Sequence, residues 1–149
     1  MIKTIEGNIL DATENVICHQ VNCMGVMGSG LAKQIRAKYP NVFEQYHKFV
    51  LDNGKLQSLG MCQIVEVGKD KYVSNLFGQY NYGTNKIQTD YAALKSAMSS
   101  LKTVCKESNL SVALPYNLGC GLAGGDWGIV SKMIEDIFED YDVMIYRFK

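Results

Sequence analysis

Residues 16–32, VICHQVNCMGVMGSGLA, carry the signals of a strand, a glycine loop and the start of a helix, in that order. Residues 16–21 form a nearly continuous apolar run, which predicts a strand inside a sheet that is covered on both faces. After the glycines, Leu31, Ile35 and Tyr39 recur at the spacing of one helical face. The stretch therefore predicts a strand, loop and helix unit of an α/β protein.

A second stretch near the carboxyl end has the same organisation. Residues 111–114 predict a short buried strand, residues 119–125 a glycine loop, and residues 127–138 an amphipathic helix with Asp126 as its N-cap. A helix N-terminus exposes unpaired N–H groups, and glycine lets a phosphate approach them without a Cβ in the way. Two such loops predict a pyrophosphate site. The alternative is that the glycines only form tight strand-to-helix turns.

The rest of the chain also alternates between strand and helix patterns. Further elements are predicted at residues 2–5, 41–52, 61–67, 72–77, 89–105 and 143–148. Thr89 is the expected N-cap of the longest helix. No repeat or linker interrupts this order, and a length of 149 residues suits one core. We therefore expect a single α/β domain over residues 1–149, with a mixed sheet between helical layers.

The composition limits the partners of the protein. Fifteen Lys and Arg residues balance fifteen Asp and Glu residues, so no overall field would attract nucleic acid non-specifically or draw the protein to a membrane. The five cysteines are odd in number and mostly lie in apolar runs, which is typical of reduced thiols. Neither a leader pattern nor an apolar run of membrane-spanning length is present. These features predict a cytoplasmic protein and leave its oligomeric state open.

The second glycine loop matches the dinucleotide-binding pattern G-x-G-x-x-G at residues 119–124. In dinucleotide-binding domains this pattern belongs to the first strand–helix unit, and an acidic residue follows about 20 residues later at the end of the next strand. Here the loop lies near the carboxyl end, and the following predicted strand carries Arg147 near its end. The sequence therefore predicts no nicotinamide cofactor, and no other cofactor is expected.

Cysteine chemistry and a metal site are both disfavoured. Cys120 lies in a loop before a predicted helix, where the pKa of a thiol is lowered, but the loop lacks the arginine with which cysteine phosphatases hold phosphate. We expect Cys120 to be a small packing residue. Cys18, His19 and Cys23 include no Cys-x-x-Cys pair, so no bound metal is predicted.

Three segments together resemble the macrodomain family, and the resemblance spans nearly the whole chain. They are GNIL at residues 7–10, residues 19–32 within the first stretch, and LPYNLGCGLAG at residues 114–124. The chain looks most similar to the branch that contains ADP-ribose 1″-phosphate phosphatases and terminal ADP-ribose protein glycohydrolases. The resemblance implies a three-layer α/β/α macrodomain fold with a central mixed β-sheet. It also implies ADP-ribose, or an ADP-ribosylated substrate, as the partner.

The resemblance places the adenine near the first strand and the last strand. In this family an Asp in the loop after the first strand accepts a hydrogen bond from the adenine amino group. Asn8, followed by Ile9, occupies that position here, and its carbonyl can accept the same bond without the charge. Asp11 is a nearby alternative. Tyr146 is the aromatic expected beside the adenine, with Phe148 second, although a core aromatic in a strand is an equal alternative.

The resemblance also implies that both glycine loops contact the diphosphate. The residues expected there are Gly28, Ser29 and Gly30 in the first loop and Gly119, Cys120, Gly121, Leu122, Ala123 and Gly124 in the second. Asn22 is expected beside the distal ribose, which carries the reactive C1″ carbon. Gln79 and Tyr80 are further candidates for contact with that ribose.

His19 and Asn22 are the candidate catalytic residues. The phosphatases and glycohydrolases of this branch carry a His at the point that matches His19, and histidine can move a proton near neutral pH. The alternative is a His that only orients the loop. The glycohydrolases also use a lysine and an acid. Residues 77–80 contain no lysine, and Ala123 stands at the position of the acid, which disfavours a covalent lysine route.

The sequence thus predicts an ADP-ribose-binding hydrolase that acts on an ADP-ribose 1″-derivative, such as ADP-ribose 1″-phosphate. Two alternatives stay open. One is a non-catalytic reader of ADP-ribose, which the missing lysine and acid favour. The other is a glycohydrolase that removes ADP-ribose from protein carboxylates or DNA bases.

Overall fold

A six-stranded sheet forms the centre of the protein, and the computed structural model describes residues 1–148 of it. The strands are β1 (Ile2–Glu6), β2 (Val16–Val21), β3 (Cys62–Gly68), β4 (Lys71–Phe77), β5 (Val112–Pro115) and β6 (Val143–Arg147). The helices are α1 (Gly30–Lys38), α2 (Pro40–Asn53), α3 (Lys55–Ser58), α4 (Tyr91–Ser108) and α5 (Trp127–Ile137). A single 3₁₀ turn, Ile9–Asp11, follows β1.

The sheet is mixed, as the sequence predicts. The strand order is β1-β6-β5-β2-β4-β3, and all neighbours are parallel except β3, which runs antiparallel to β4. β2 lies between two parallel neighbours, and its residues Val16, Ile17 and Cys18 are fully buried. The predicted bounds of β2 are the observed ones, because only a central strand buries such a run on both faces.

Helices cover both faces of the sheet, which confirms the three-layer α/β/α fold. Val16 and Cys18 of β2 pack into the core beneath α4 and α5, whereas Val21 packs into the core beneath α1 and α2. Side chains alternate between the two faces along a strand, so one strand contributes to both cores. Within residues 1–148, no helix is long and apolar enough to cross a membrane.

The cap of α4 differs from the sequence prediction. Asp90, not Thr89, is the N-cap, and its carboxylate accepts a hydrogen bond from the amide of Ala93. The hydroxyl of Thr89 instead donates to the carbonyl oxygen of Gly119 at 2.5 Å. The cap preference alone cannot separate two adjacent capping residues, and here a tertiary contact decides between them. The cap expected at Asp126 of α5 is confirmed.

Candidate functional site

A cleft of about 530 Å³ opens at the carboxyl ends of the central strands β2, β4 and β5. Its walls come from the end of β2, the start of α1, the loop after β4 and the loop after β5. The volume lies within the range of roughly 300–1,000 Å³ that is usual for small-molecule sites. Ligands of open α/β sheets bind at this edge, because strand ends and helix starts meet there.

The cleft gathers most, but not all, of the residues predicted for the site. The predicted residues that line it are His19, Asn22, Ser29, Gly30, Gln79, Gly119, Gly121, Leu122 and Ala123. Those outside the lining are Asn8, Ile9, Gly28, Cys120, Gly124 and Tyr146. The two glycine loops therefore face one common space.

The first glycine loop leaves the start of α1 uncapped. Ser29 is the N-cap residue, with an extended backbone, but its side chain makes no capping hydrogen bond. The amides of Gly30, Leu31 and Ala32 have no acceptor within the described chain, since the first helical N–H groups lack a partner in the preceding turn. All three residues line the cleft. This wall therefore presents unpaired N–H donors and the positive end of a helix dipole.

The second glycine loop also presents unpaired amides, but they do not belong to a helix. Cys120 donates its amide to the carbonyl of Asn117, and Gly124 donates to the carbonyl of Gly121. Between them, the amides of Gly121, Leu122 and Ala123 have no partner within residues 1–148. Successive free amides of this kind form a concave site for anions.

The N-terminus of α5 is not available to a ligand in the cleft. The carboxylate of Asp126 caps it by accepting from the amide of Gly128 at 2.7 Å. Asp126 and Gly128 both lie outside the cleft lining. Unpaired amides therefore lie at the helix start of α1, as expected, whereas in the second loop they precede α5 and do not belong to its N-terminus.

The glycines of the two loops differ in what the backbone requires. Gly30, Gly119 and Gly124 have φ values of +60°, +70° and +76°, a region that favours glycine. Gly121 has no such φ, and a Cβ added to it would meet no atom within 4 Å. The turn geometry therefore accounts for the first three glycines and does not account for Gly121.

The two loops come together at the cleft mouth. A Cβ added to Gly30 would lie only 3.2 Å from Cδ1 of Leu122. Leu122 is nevertheless 54% exposed, so its side chain reaches across the opening instead of joining the core. Two walls at this separation can contact the same bound group.

His19 is a buried, neutral histidine on the cleft wall. Only 2% of its surface is exposed, and Nε2 lies 2.6 Å from Oδ1 of Asn75. Nδ1 has no hydrogen-bond partner. Burial lowers the pKa of His19 from 6.5 to about 4, so the ring carries one proton at neutral pH.

Asn22 holds the first loop in shape. Its Oδ1 accepts from the amide of Met24 at 2.9 Å, and its Nδ2 donates to the carbonyl of Val26 at 2.9 Å. The hydroxyl of Tyr46 lies 2.7 Å from Oδ1 of Asn22 and accepts from the amide of Gly25 at 3.1 Å. Sequence reasoning missed this role of Tyr46, because its position in the helical pattern predicted only a core residue.

A polar network below the second loop was also missed. Nε2 of Gln20 donates to Oε1 of Gln79 at 2.8 Å and to the hydroxyl of Thr89 at 3.0 Å. Gln20 and Gln79 line the cleft, whereas Tyr80 does not. The signal for Gln20 was present, since a glutamine near the end of a buried parallel strand needs partners. Other lining residues that the sequence did not suggest are Tyr82, Thr84, Tyr116 and Asn117.

The residues expected at the adenine lie outside the cleft lining, in a region that Leu31 connects to the cleft. Oδ1 of Asn8 accepts from the amide of Leu10 at 3.0 Å, which caps the 3₁₀ turn. Tyr146 donates its hydroxyl to Oε1 of Glu14 at 2.5 Å and packs against the buried cluster that includes Ile9. Leu31, which lines the cleft, packs against the same cluster. The structure thus joins this region to the cleft without placing Asn8 or Tyr146 in its lining.

Cys120 contacts the core more than the cleft. Its thiol donates to the carbonyl of Leu118 at 3.2 Å, and the side chain packs against the core beneath α4 and α5. Burial raises the pKa of this thiol to about 11. The side chain therefore has the environment of a packing residue and not of a thiolate nucleophile.

Comparison with known proteins assigns the family. The sequence profile of the Macro domain family matches residues 18–134. The chain belongs to the Macro domain family. Among its relatives, a DNA ADP-ribosyl glycohydrolase of Mycobacterium tuberculosis is 31% identical over 98% of this macrodomain, which spans only 42% of that relative. An ADP-ribose 1″-phosphate phosphatase of Aspergillus oryzae is 40% identical over 31% of this chain and 23% of its own length.

A solved structure agrees with the sequence comparison. The macrodomain of Mycobacterium tuberculosis DarG matches with a TM-score of 0.83 and 29% identity, over 98% of this chain and 97% of that one. The match covers nearly the whole of both chains. The helices and loops around the cleft therefore follow the macrodomain architecture as well as the sheet.

The cleft of this macrodomain contains no formal charge. No Asp, Glu, Lys or Arg is among the lining residues of the described chain, and His19 is neutral. Residues 1–148 also contain no group of three His, Cys, Asp or Glu side chains suited to a metal ion. An anion in the cleft would therefore be stabilised by backbone dipoles and polar side chains.

Proposed function

We propose that this macrodomain binds ADP-ribose in the cleft and hydrolyses the bond to C1″ of an ADP-ribosylated substrate. The observation that carries the proposal is the pair of unpartnered amide rows, residues 30–32 and residues 121–123, which both belong to the lining of one cleft. A diphosphate has oxygens on both sides, so one bridging group can satisfy both rows. A single phosphate offers fewer acceptor oxygens to the two rows.

Gly121 supports a bound ligand over the simpler explanation that the glycines only form turns. The fold places no constraint on this position, because its φ is ordinary and its Cβ direction is open. Glycine there lowers stability through the flexibility of the unfolded chain. Because glycine has no Cβ, a phosphate can approach the amides of residues 121–123 closely, and this explains a glycine at position 121.

The substrate that we favour is ADP-ribose attached to a DNA base. The relative from Mycobacterium tuberculosis, which matches over nearly the whole chain, is a DNA ADP-ribosyl glycohydrolase. The uncharged lining of the cleft also favours a neutral group at C1″, since burying a third phosphate group without a nearby cation would carry a large desolvation cost. Water would add its hydroxyl to C1″, and the departing base would take up the proton.

Two other functions have specific support. The Aspergillus oryzae phosphatase matches a third of the chain, so ADP-ribose 1″-phosphate is a second candidate substrate. A non-catalytic reader is the third candidate. The position after β4 holds Gln79, whose side-chain amide donates to the carbonyl of Asn81, and no lysine lines the cleft of the described chain.

Calorimetry separates binding from catalysis. We expect ADP-ribose to bind with micromolar affinity, and AMP to bind more weakly because it has one phosphate fewer and no distal ribose. Absence of ADP-ribose binding by the folded protein would remove the proposal. Incubation with ADP-ribosylated DNA, ADP-ribosylated protein and ADP-ribose 1″-phosphate then ranks the substrates. If the protein binds ADP-ribose but releases it from none of these substrates, the non-catalytic reader is the remaining candidate.

We also propose that residues 1–149 form a single domain and that the protein works in the cytoplasm. The two ends of the chain support the first point, because β1 pairs directly with β6 in the sheet. The cysteines support the second, because all five are free thiols.

A further inference from the structure

A row of polar side chains crosses three neighbouring strands and ends at His19. Gln63 of β3 is in register with Asn75 of β4, and Asn75 is in register with His19 of β2. Residues in register point to the same face of the sheet, so the three side chains are direct neighbours. Two hydrogen bonds join them, of 3.0 Å between Asn75 and Gln63 and 2.6 Å between Asn75 and His19.

The donor and the acceptor of each hydrogen bond in this row follow from the contact that Gln63 makes with α2. Nε2 of Gln63 donates to the backbone carbonyl of Gln45 in α2, a group that can only accept. Gln63 must therefore present Oε1 to Asn75, and Asn75 must present its Nδ2 to Gln63. The remaining atom of that amide, Oδ1, then faces Nε2 of His19, which must donate.

A neutral histidine carries one ring proton, so this row leaves Nδ1 bare. Nδ1 is buried, has no partner in the described chain, and belongs to a residue that lines the cleft. Buried acceptors without a partner are uncommon in folded proteins, and each calls for an explanation. The row of hydrogen bonds provides one, since the acceptor of Asn75 keeps the single ring proton of His19 on Nε2.

We propose that Asn75 is a positioning residue of the cleft, which with Gln63 holds His19 in the Nε2–H tautomer and leaves Nδ1 as the unprotonated nitrogen of the ring. The inference rests on the proposed function only for the effect of this tautomer on ADP-ribose binding and hydrolysis. The tautomer itself depends only on the row of side chains. Burial, which lowers the pKa of His19 to about 4, keeps the ring neutral and the lone pair free.

The test is a two-bond ¹H–¹⁵N NMR spectrum of the full chain, which distinguishes the two histidine tautomers. Substitution of His47, the other histidine, assigns the signals. We expect His19 to carry its proton on Nε2 in the wild type. Asn75→Leu removes the acceptor and should give a mixture of tautomers. Gln63→Leu keeps Asn75 but frees the side-chain amide of Asn75 to rotate. This second variant tests the proposal if Asn75→Leu fails to fold.

The matched control is Ser74→Ala. Ser74 is the neighbour of Asn75 on β4, is equally buried, and contacts Cys62 on the opposite face of the sheet. We expect this variant to keep the wild-type tautomer, ADP-ribose affinity and rate of hydrolysis. In Asn75→Leu and Gln63→Leu, the change of tautomer should come with a loss of about tenfold in affinity or rate, the usual effect of one hydrogen bond.

Three results would overturn the proposal. They are an Nδ1–H tautomer in the wild type, an unchanged tautomer in both variants, and a changed tautomer with unaltered affinity and rate. Failure of the proposed function looks different, since ADP-ribose would then not bind to the wild type although His19 shows the expected tautomer.

Discussion

Replacement of Gly121 by alanine separates the needs of the fold from those of the ligand. The backbone at this position suits any residue, and the new Cβ would meet no protein atom within 4 Å. Alanine also restricts the unfolded chain more than glycine does. We therefore expect the free energy of unfolding to stay the same or to rise by about 0.4–1 kcal/mol.

Gly121 lines the cleft, so the same Cβ would occupy open space beside the free amides of residues 121–123. A phosphate oxygen that approaches these amides would be displaced and would lose at least one hydrogen bond. A hydrogen bond to a charged group contributes about 1.5–3 kcal/mol. The dissociation constant for ADP-ribose should accordingly rise by roughly 10- to 150-fold.

Calorimetry with ADP-ribose measures the affinity, and urea denaturation measures the stability of the same variant. Gly68→Ala, at the last residue of β3 before the turn to β4, is the matched control. Gly68 also lacks a left-handed φ, and its added Cβ would make an ordinary contact of 3.7 Å with Lys71. A stable Gly121→Ala protein that binds ADP-ribose as tightly as the wild type would refute the placement of the diphosphate against this loop.

Three further predictions test the supports of the site. Tyr46→Phe leaves the amides of Gly25 and Val26 without their acceptor, and urea denaturation should show a loss of about 1–3 kcal/mol together with weaker ADP-ribose binding. Asp126→Ala should cost about 1 kcal/mol in the same assay as the cap of α5 is lost, and a change in affinity would contradict the placement of this helix end outside the cleft. The pKa of His19 is lowered from 6.5 to about 4, so neutral His19 favours folding above pH 6.5 and this contribution is lost as the pH falls toward 4. The stability difference between wild type and His19→Gln should therefore change by about 2 kcal/mol between pH 7 and pH 5, and a constant difference would argue against a buried neutral ring.

Local signals were enough to predict the strands and helices that frame the cleft. The apolar run at residues 16–21 and the helical spacing from Leu31 depend only on neighbouring residues, and the observed elements follow them. Asp126 was predicted as a cap for the same reason, because a capping side chain bonds within its own turn. Thr89 was predicted wrongly, because its hydroxyl bonds to Gly119, which lies 30 residues away.

The sequence by itself determined the alternation of strands and helices, the two glycine loops and the family, since these follow from local patterns and ordered motifs. Only the tertiary structure decided which loop amides stay unpaired, that the start of α5 lies outside the cleft lining, and that Gly121 is free of any demand from the fold. It also decided the environment of His19, whose partner Asn75 lies 56 residues away. The physical reason is that strand register brings such partners together, and register is set by the packing of the whole sheet.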